Sequence, residues 1–185
     1  MEWFGERFYE LHPLLQQLHK SGGCLMGEVI VTHPVGFAGV IGRIIAKKMG
    51  IPISKAAQAF SVSIKHEEDG LHWDRCFNHK DTLHSLFQPV GTIDNGYWLE
   101  TTGALGFHLG VDIKEGGWYW RCEKIMFKGI SLPLWLFPRV SAYKVIENQR
   151  YKFHVGIMVP FLGEVLSYSG LLHSSSHIVN NMATQ

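Results

Sequence analysis

YKFHVGIMVPFLGEVLSYSGLL, from Tyr151 to Leu172, is the stretch that decides the fold. Tyr151, Phe153, Val155, Ile157 and Val159 alternate with Lys152, His154, Gly156 and Met158. That period of two gives one apolar face and reads as a β-strand. Pro160 and Gly163 punctuate the run, and an extended pattern resumes from Glu164. The segment is two antiparallel strands around a turn.

Upstream, the same grammar repeats. Glu147-Asn148-Gln149 turns a strand over Arg139 to Glu147 into the one above. Leu132 to Pro138 is an apolar loop bracketed by prolines. Leu105, Phe107, Leu109, Val111 and Ile113 alternate cleanly, and Glu115-Gly116-Gly117 leads into Trp118 to Phe127. Leu83 to Val90 and Tyr97 to Thr101 are weaker strands. Phe60, Val62 and Ile64 form a strand that turns at Glu68-Asp69-Gly70, since Asp-Gly supplies the positive φ angles of a tight hairpin. Leu71 to Phe77 returns. Seven to nine strands follow residue 58 with no helix between them, which excludes a parallel α/β fold.

The N-terminal part differs. Phe4, Phe8, Leu11, Leu14, Leu15 and Leu18 recur at helical spacing between Trp3 and Lys20, and Pro13 predicts either a kink or two short helices there. Cys24 to Thr32 is strand-like. Val35 to Met49 is a second helix, with Pro34 near its start and Gly50 just past its end. Its apolar residues exceed one narrow stripe, so the helix is expected to pack in the mouth or concavity of the sheet. The fold class is α+β: N-terminal helices plus a large, strongly curved antiparallel sheet or barrel, because a large flat sheet must curl, close or be covered. One domain is expected over 1–185, with a helical part at 3–50, a β part at 58–172 and a frayed tail at 173–185.

Composition narrows function. Of 185 residues, only 18% are charged while 12% are aromatic, so the chain has a large core or keeps an apolar cavity or partner surface. The net charge of +1 and the lack of a basic run leave no electrostatic footprint for nucleic acid. Cys24, Cys76 and Cys122 are scattered and odd in number, which argues for reduced thiols. No apolar run is long enough for a spanning helix, and the opening residues do not resemble a signal peptide, so the cytoplasm is the expected compartment.

HWDRCF at His72 to Phe77, ISLPLWLFP at Ile130 to Pro138 and FHVGIMVPFLGEVLSYSGLL at Phe153 to Leu172 together resemble one family, the bacterial domain of unknown function 4166. The opening ELHPLLQQLH and the strand–glycine–helix segment through Ile51-Pro52 are similar to that family's start. The resemblance covers nearly the whole chain, and its last block is the most specific part. It implies a compact domain found alone or behind dehydrogenase-like modules, hence small-molecule metabolism. It implies no particular activity.

Candidate chemistry is sparse. GFAGVIG, Gly36 to Gly42, follows a strand and opens a helix, but its spacing is GxxGxxG rather than the dinucleotide GxGxxG, and no acid follows on a second parallel strand. Its glycines are read as a bare stripe for close packing, and no cofactor is expected. Arg75 is in phase with Leu71, Trp73 and Phe77, so it points into the apolar side. A buried guanidinium needs a partner. The candidates are Glu123 or Glu147 as ion-pair acids, water reached from a sheet edge, or a ligand's carboxylate or phosphate. Trp118 and Trp120 share an aromatic face, opposite Arg121 and Glu123. His173 and His177 have i,i+4 spacing, and His72 and Asp74 share a strand face, but no metal site is expected. There is no GxSxG elbow.

The reading that follows is a small-molecule binding domain with an apolar cavity for a lipid-like or aromatic ligand. Arg75, Trp73, Trp118, Trp120, Tyr168 and Glu123 are the expected ligand-binding residues. Two alternatives stand beside it: an enzyme using Arg75, Glu123, His154 or Tyr168 on a hydrophobic substrate, and a domain whose apolar loop Leu132 to Phe137 docks a protein or membrane.

Overall fold

The computed structural model describes residues 2–54 and 56–175. Short 3-10 turns over Glu2–Glu10 break at Gly5 (φ 52) and lead to helix α1, Pro13–Ser21. Pro13 occupies the first turn of α1, where its missing N–H costs nothing, and His12 Nδ1 accepts the Leu14 N–H as a cap. The proline therefore separates two short helices rather than kinking one.

Strand β1, Gly23–Thr32, leads to helix α2, Gly36–Met49, which ends on Gly50 in the left-handed conformation (φ 66, ψ 23). The remaining strands are β2 Gln58–Glu67, β3 Gly70–Phe77, β4 Asp81–Val90, β5 Tyr97–Thr102 and β6 Leu105–Lys114. They continue with β7 Gly117–Phe127, β8 Ile130–Leu132, β9 Arg139–Glu147, β10 Arg150–Val159 and β11 Gly163–Ser174. All pairings are antiparallel. β6 and β7 pair as a hairpin, and the ring closes where the last strand, β11, bridges β10 to the first, β1. The result is a closed ten-stranded barrel, with β8 a short flap on β7 outside the ring. Helices are a minor part of this mostly β structure.

Hairpins sit where the turn residues placed them. Glu115-Gly116 (φ 51 and 75) and Asn148-Gln149 (φ 50 and 61) take the paired positive φ angles of a tight two-residue turn. His173 and Ser174 extend β11, so the last strand runs past the expected start of the tail; the remainder from 176 lies outside the described residues.

The register fixes what points inward. Leu71, Trp73, Arg75 and Phe77 of β3 sit opposite Phe87, Ser85, Leu83 and Asp81 of β4. Ten strands make a ring wider than its own side chains fill. One end is plugged by the N-terminal helical segment: Trp3 Nε1 donates to Val90 O, His12 N donates to Gly116 O, and the Tyr151 hydroxyl donates to Leu14 O.

Helix α2 packs at the open end of the barrel, as expected, but buries only one of its faces. Its buried residues are Gly39, Gly42 and Ala46, while Val35, Phe37, Val40 and Ile44 are exposed. The helix lies on β11 through its glycine stripe, with Ile41 and Ile45 half-buried against the core, while Phe37, Val40 and Ile44 face out. A Cβ on Gly42 would come within 1.9 Å of the Val165 carbonyl oxygen. Gly42→Ala is therefore expected to push α2 off β11 and destabilise by about 1–3 kcal/mol in chemical denaturation.

Candidate functional site

The barrel encloses a cavity of about 840 Å³, within the range of small-molecule sites. Its walls are apolar: Phe60, Val62, Phe107, Phe153, Val155 and Ile157 face one another from different strands. At the far end from the helical plug the lining residues become exposed, among them Lys48, Gly103, Ala104 and Pro138. The mouth is there. Ile45 and Met49 of α2 border it.

A few polar side chains break the apolar wall. Arg75 donates from Nη1 to Ser85 Oγ at 2.8 Å, and its Nη2 lies 3.5 Å from Glu100 Oε1. Ser85 and Thr102 share a further hydrogen bond of 2.7 Å. All four belong to neighbouring strands: β3, β4 and β5. Arg75 also lies beside the Trp73 and Phe87 rings. The acid that meets Arg75 is Glu100, not Glu123 or Glu147. Glu123 faces outward and binds Arg121, with Asp112 on the guanidinium's other side. Glu147 pairs with Lys152. His154 pairs with Glu164 outside the wall.

Tyr168 lines the cavity from β11. Burial pushes its phenol up, with the Arg75 and Glu100 charges acting on it in opposite directions. Its hydroxyl has no hydrogen-bond partner among the described residues. Trp73 and Trp120 also line the cavity. Trp118 lies behind them, in a tight cluster with His19, Leu71 and Trp98 against the plug. The structure thus brings Arg75, Trp73, Trp120 and Tyr168 to one space, leaves Trp118 at its back wall and puts Glu123 outside.

Lys144 is the residue the sequence reading missed. It points inward from β9, 7% exposed, and borders the cavity. Its Nζ hydrogen-bonds His19 Nε2 and lies 4.4 and 4.2 Å from the Trp73 and Trp118 ring centres. His19 stacks flat on Trp118 at 4.1 Å. No acid reaches Lys144 among the described residues. Burial, and then the charge of Arg75, push its ammonium well down. Burial and then Lys144 do the same to His19. The indole faces favour a cation, but they offset only part of the lost hydration. Both groups are thus pushed toward their neutral forms while sharing one hydrogen bond. The indole N–H groups of Trp73, Trp98 and Trp118 are also buried without an acceptor among the described residues. This end of the barrel is rich in donors and short of acceptors.

The signal for Lys144 was phase: Val140, Ala142, Lys144 and Ile146 lie on one face of β9. Glu100 was legible the same way, between Trp98 and Thr102.

Elsewhere, Glu67, Asp69 and His72 gather on the β2–β3 hairpin, with His72 Nε2 2.6 Å from Asp69. They are ion pairs on a surface turn at the plugged end. Cys24, Cys76 and Cys122 are free thiols, and burial pushes Cys122 up. No helix among the described residues is long and apolar enough to cross a membrane.

No curated protein and no solved structure matches the sequence. Residues 11–172 match the model of one family, described as a domain of unknown function, DUF4166, and the chain belongs to that family.

Proposed function

We propose that the domain binds an apolar small molecule, lipid-like or aromatic, inside the barrel. One observation carries this reading: an apolar cavity of about 840 Å³ that opens at one end and holds a cluster of donors deep inside. Apolar walls with a few convergent polar groups are what such sites have in common. The spare donors are the Arg75 guanidinium and the free Tyr168 hydroxyl, so the ligand's polar end is an oxygen acceptor, a carboxylate or a carbonyl. Trp73 and Trp120 supply flat surface beside it.

A second reading rests on Lys144. An uncharged amine at a cavity wall can attack a carbonyl carbon; water leaves and an imine forms. The domain would then process or covalently hold a carbonyl compound rather than only store an apolar one.

Native mass spectrometry of protein purified from its host tests the first reading. A retained apolar species released by organic solvent is the expected result. A preparation with an empty cavity that also takes up no fatty acid or aromatic carboxylate would overturn it. Borohydride treatment separates the readings, because only an imine is fixed to Lys144 as a permanent mass increase.

A further inference from the structure

We propose that the mouth end of the barrel docks on an anionic lipid bilayer, and that the cavity loads and unloads there. The docking rests on the surface alone; the loading rests on the apolar-ligand reading above.

Exposed apolar residues are unevenly placed. Ten of the fourteen large apolar side chains exposed among the described residues lie at the mouth end. Phe37, Val40 and Ile44 come from α2 and Val35 from the residue before it, Trp135 and Leu136 from the β8–β9 loop, and Phe161 from the β10–β11 turn. These three segments follow one another around the rim, because β9, β10, β11 and β1 are consecutive in the ring. Contiguous exposed apolar surface of this kind marks an interaction site.

Phe161 is the sharpest case. It is 96% exposed and has φ 65. Glycine or asparagine suits that backbone, and a bulky aromatic is strained there. The chain accepts the strain and holds a phenyl ring out in water, which a purely structural turn does not require.

Charge identifies the occupant. The rim carries Arg43, Lys47 and Lys48 on α2, with Lys80, Lys128 and Arg139 on neighbouring connections, all exposed. None is in an ion pair among the described residues. Acidic residues at this end are few, Asp81 and Glu164, and Glu164 is held by His154. The plugged end is richer in acid: Glu2, Glu6, Glu10, Glu67, Glu68 and Asp69 are exposed there, with Glu115 and Glu147 on adjoining turns, interspersed with Lys20, Lys65 and Lys114. A net charge of +1 conceals this polarity. Apolar side chains interleaved with cations are the composition of a surface that enters the headgroup layer of an anionic membrane. The barrel wall carries ion pairs such as Arg121–Asp112 and Lys152–Glu147, opposite to the apolar exterior of a membrane-spanning barrel. Only the rim is built to enter. The mouth opens within that rim, so an apolar molecule can pass between bilayer and cavity without crossing water.

Flotation with phosphatidylcholine–phosphatidylserine vesicles tests this. The wild-type protein is expected to float with them, to float less with pure phosphatidylcholine and to be released by salt. Phe161→Asn, which suits its backbone, and Trp135→Ser are each expected to weaken binding about tenfold or more. Lys47→Glu with Lys48→Glu is expected to weaken it about 30-fold or more on anionic vesicles, and little on neutral ones. Tyr9→Ser, at the plugged end, should change nothing. No binding to anionic vesicles, or rim variants that bind like wild type, would overturn the proposal. So would a concentration-dependent dimer abolished by the same rim variants, since a second copy would then cover the face. A ligand retained in the cavity without vesicle binding would refute docking and leave the binding function standing.

Discussion

Arg75→Met is expected to cost about 3–5 kcal/mol of stability in urea or guanidinium unfolding. Methionine keeps the aliphatic stem and removes the charge. The substitution leaves Glu100, itself 8% exposed, as a buried carboxylate facing an apolar cavity. Ser85 also loses its charged donor. Arg75→Met with Glu100→Leu is expected to recover most of the loss, because an apolar pair in place of a buried ion pair is often neutral or better. The double variant then isolates function. It should fold well and fail to retain a ligand with a carboxylate head. A single variant as stable as wild type would mean that Glu100 does not depend on Arg75, and the ion pair would be no part of the fold's stability.

Lys144→Met is expected to raise stability at neutral pH and to flatten its dependence on pH. Burial, and then the charge of Arg75, hold this amine's folded value well below its ordinary one, whereas the unfolded chain titrates it at ~10.4. Between the lowered folded value and ~10.4, the unfolded chain binds one more proton. Wild-type stability therefore rises with pH across that window, by up to about 1.4 kcal/mol per pH unit. His19 acts with the same sign below its ordinary range: its folded value is lowered, so stability falls as acid charges it in the unfolded chain. Methionine at 144 removes the lysine contribution and keeps the packing against Trp73 and Trp118. Unfolding curves at a series of pH values measure both effects. A variant less stable than wild type at neutral pH, with the slope unchanged, would mean that the two indole faces hold a charged ammonium. The amine would then be no nucleophile.

The strands were legible because their signals are local. Alternation in Phe60 to Ile64, Leu105 to Ile113 and Tyr151 to Val159, and turn residues at Asp69-Gly70, Gly116-Gly117 and Asn148-Gln149, needed no tertiary information. The inward direction of Arg75 followed from the same alternation. Its partner did not. Glu100 lies two strands away, and nothing in the sequence says which strands become neighbours. Ring closure was hidden for the same reason, because β1 meets β11 across most of the chain. Helix α2 was placed correctly at the mouth, but its exposed face was not legible. Ile41 and Ile45 mark a half-buried face, but the tight approach to β11 needs Gly42, so Phe37, Val40 and Ile44 were left outside. Lys144 escaped because a lysine in a strand is read as solvated, and only its phase with Val140, Ala142 and Ile146 contradicts that.

Closure by β11 also sets an order on folding. Leu25 to Thr32 pair with Ser174 back to Ser167, so the first strand waits for the last. Until β11 is in place, β1 and β10 are both open edges offering unpaired backbone groups to any other chain. Contacts between such distant parts of a chain also form slowly. During synthesis the protein thus passes through an incomplete ring, in which no cavity exists and aggregation is most favoured. Shortening β11 from its C-terminal end would prolong that state, so solubility on expression should fall before any defect in binding can be measured.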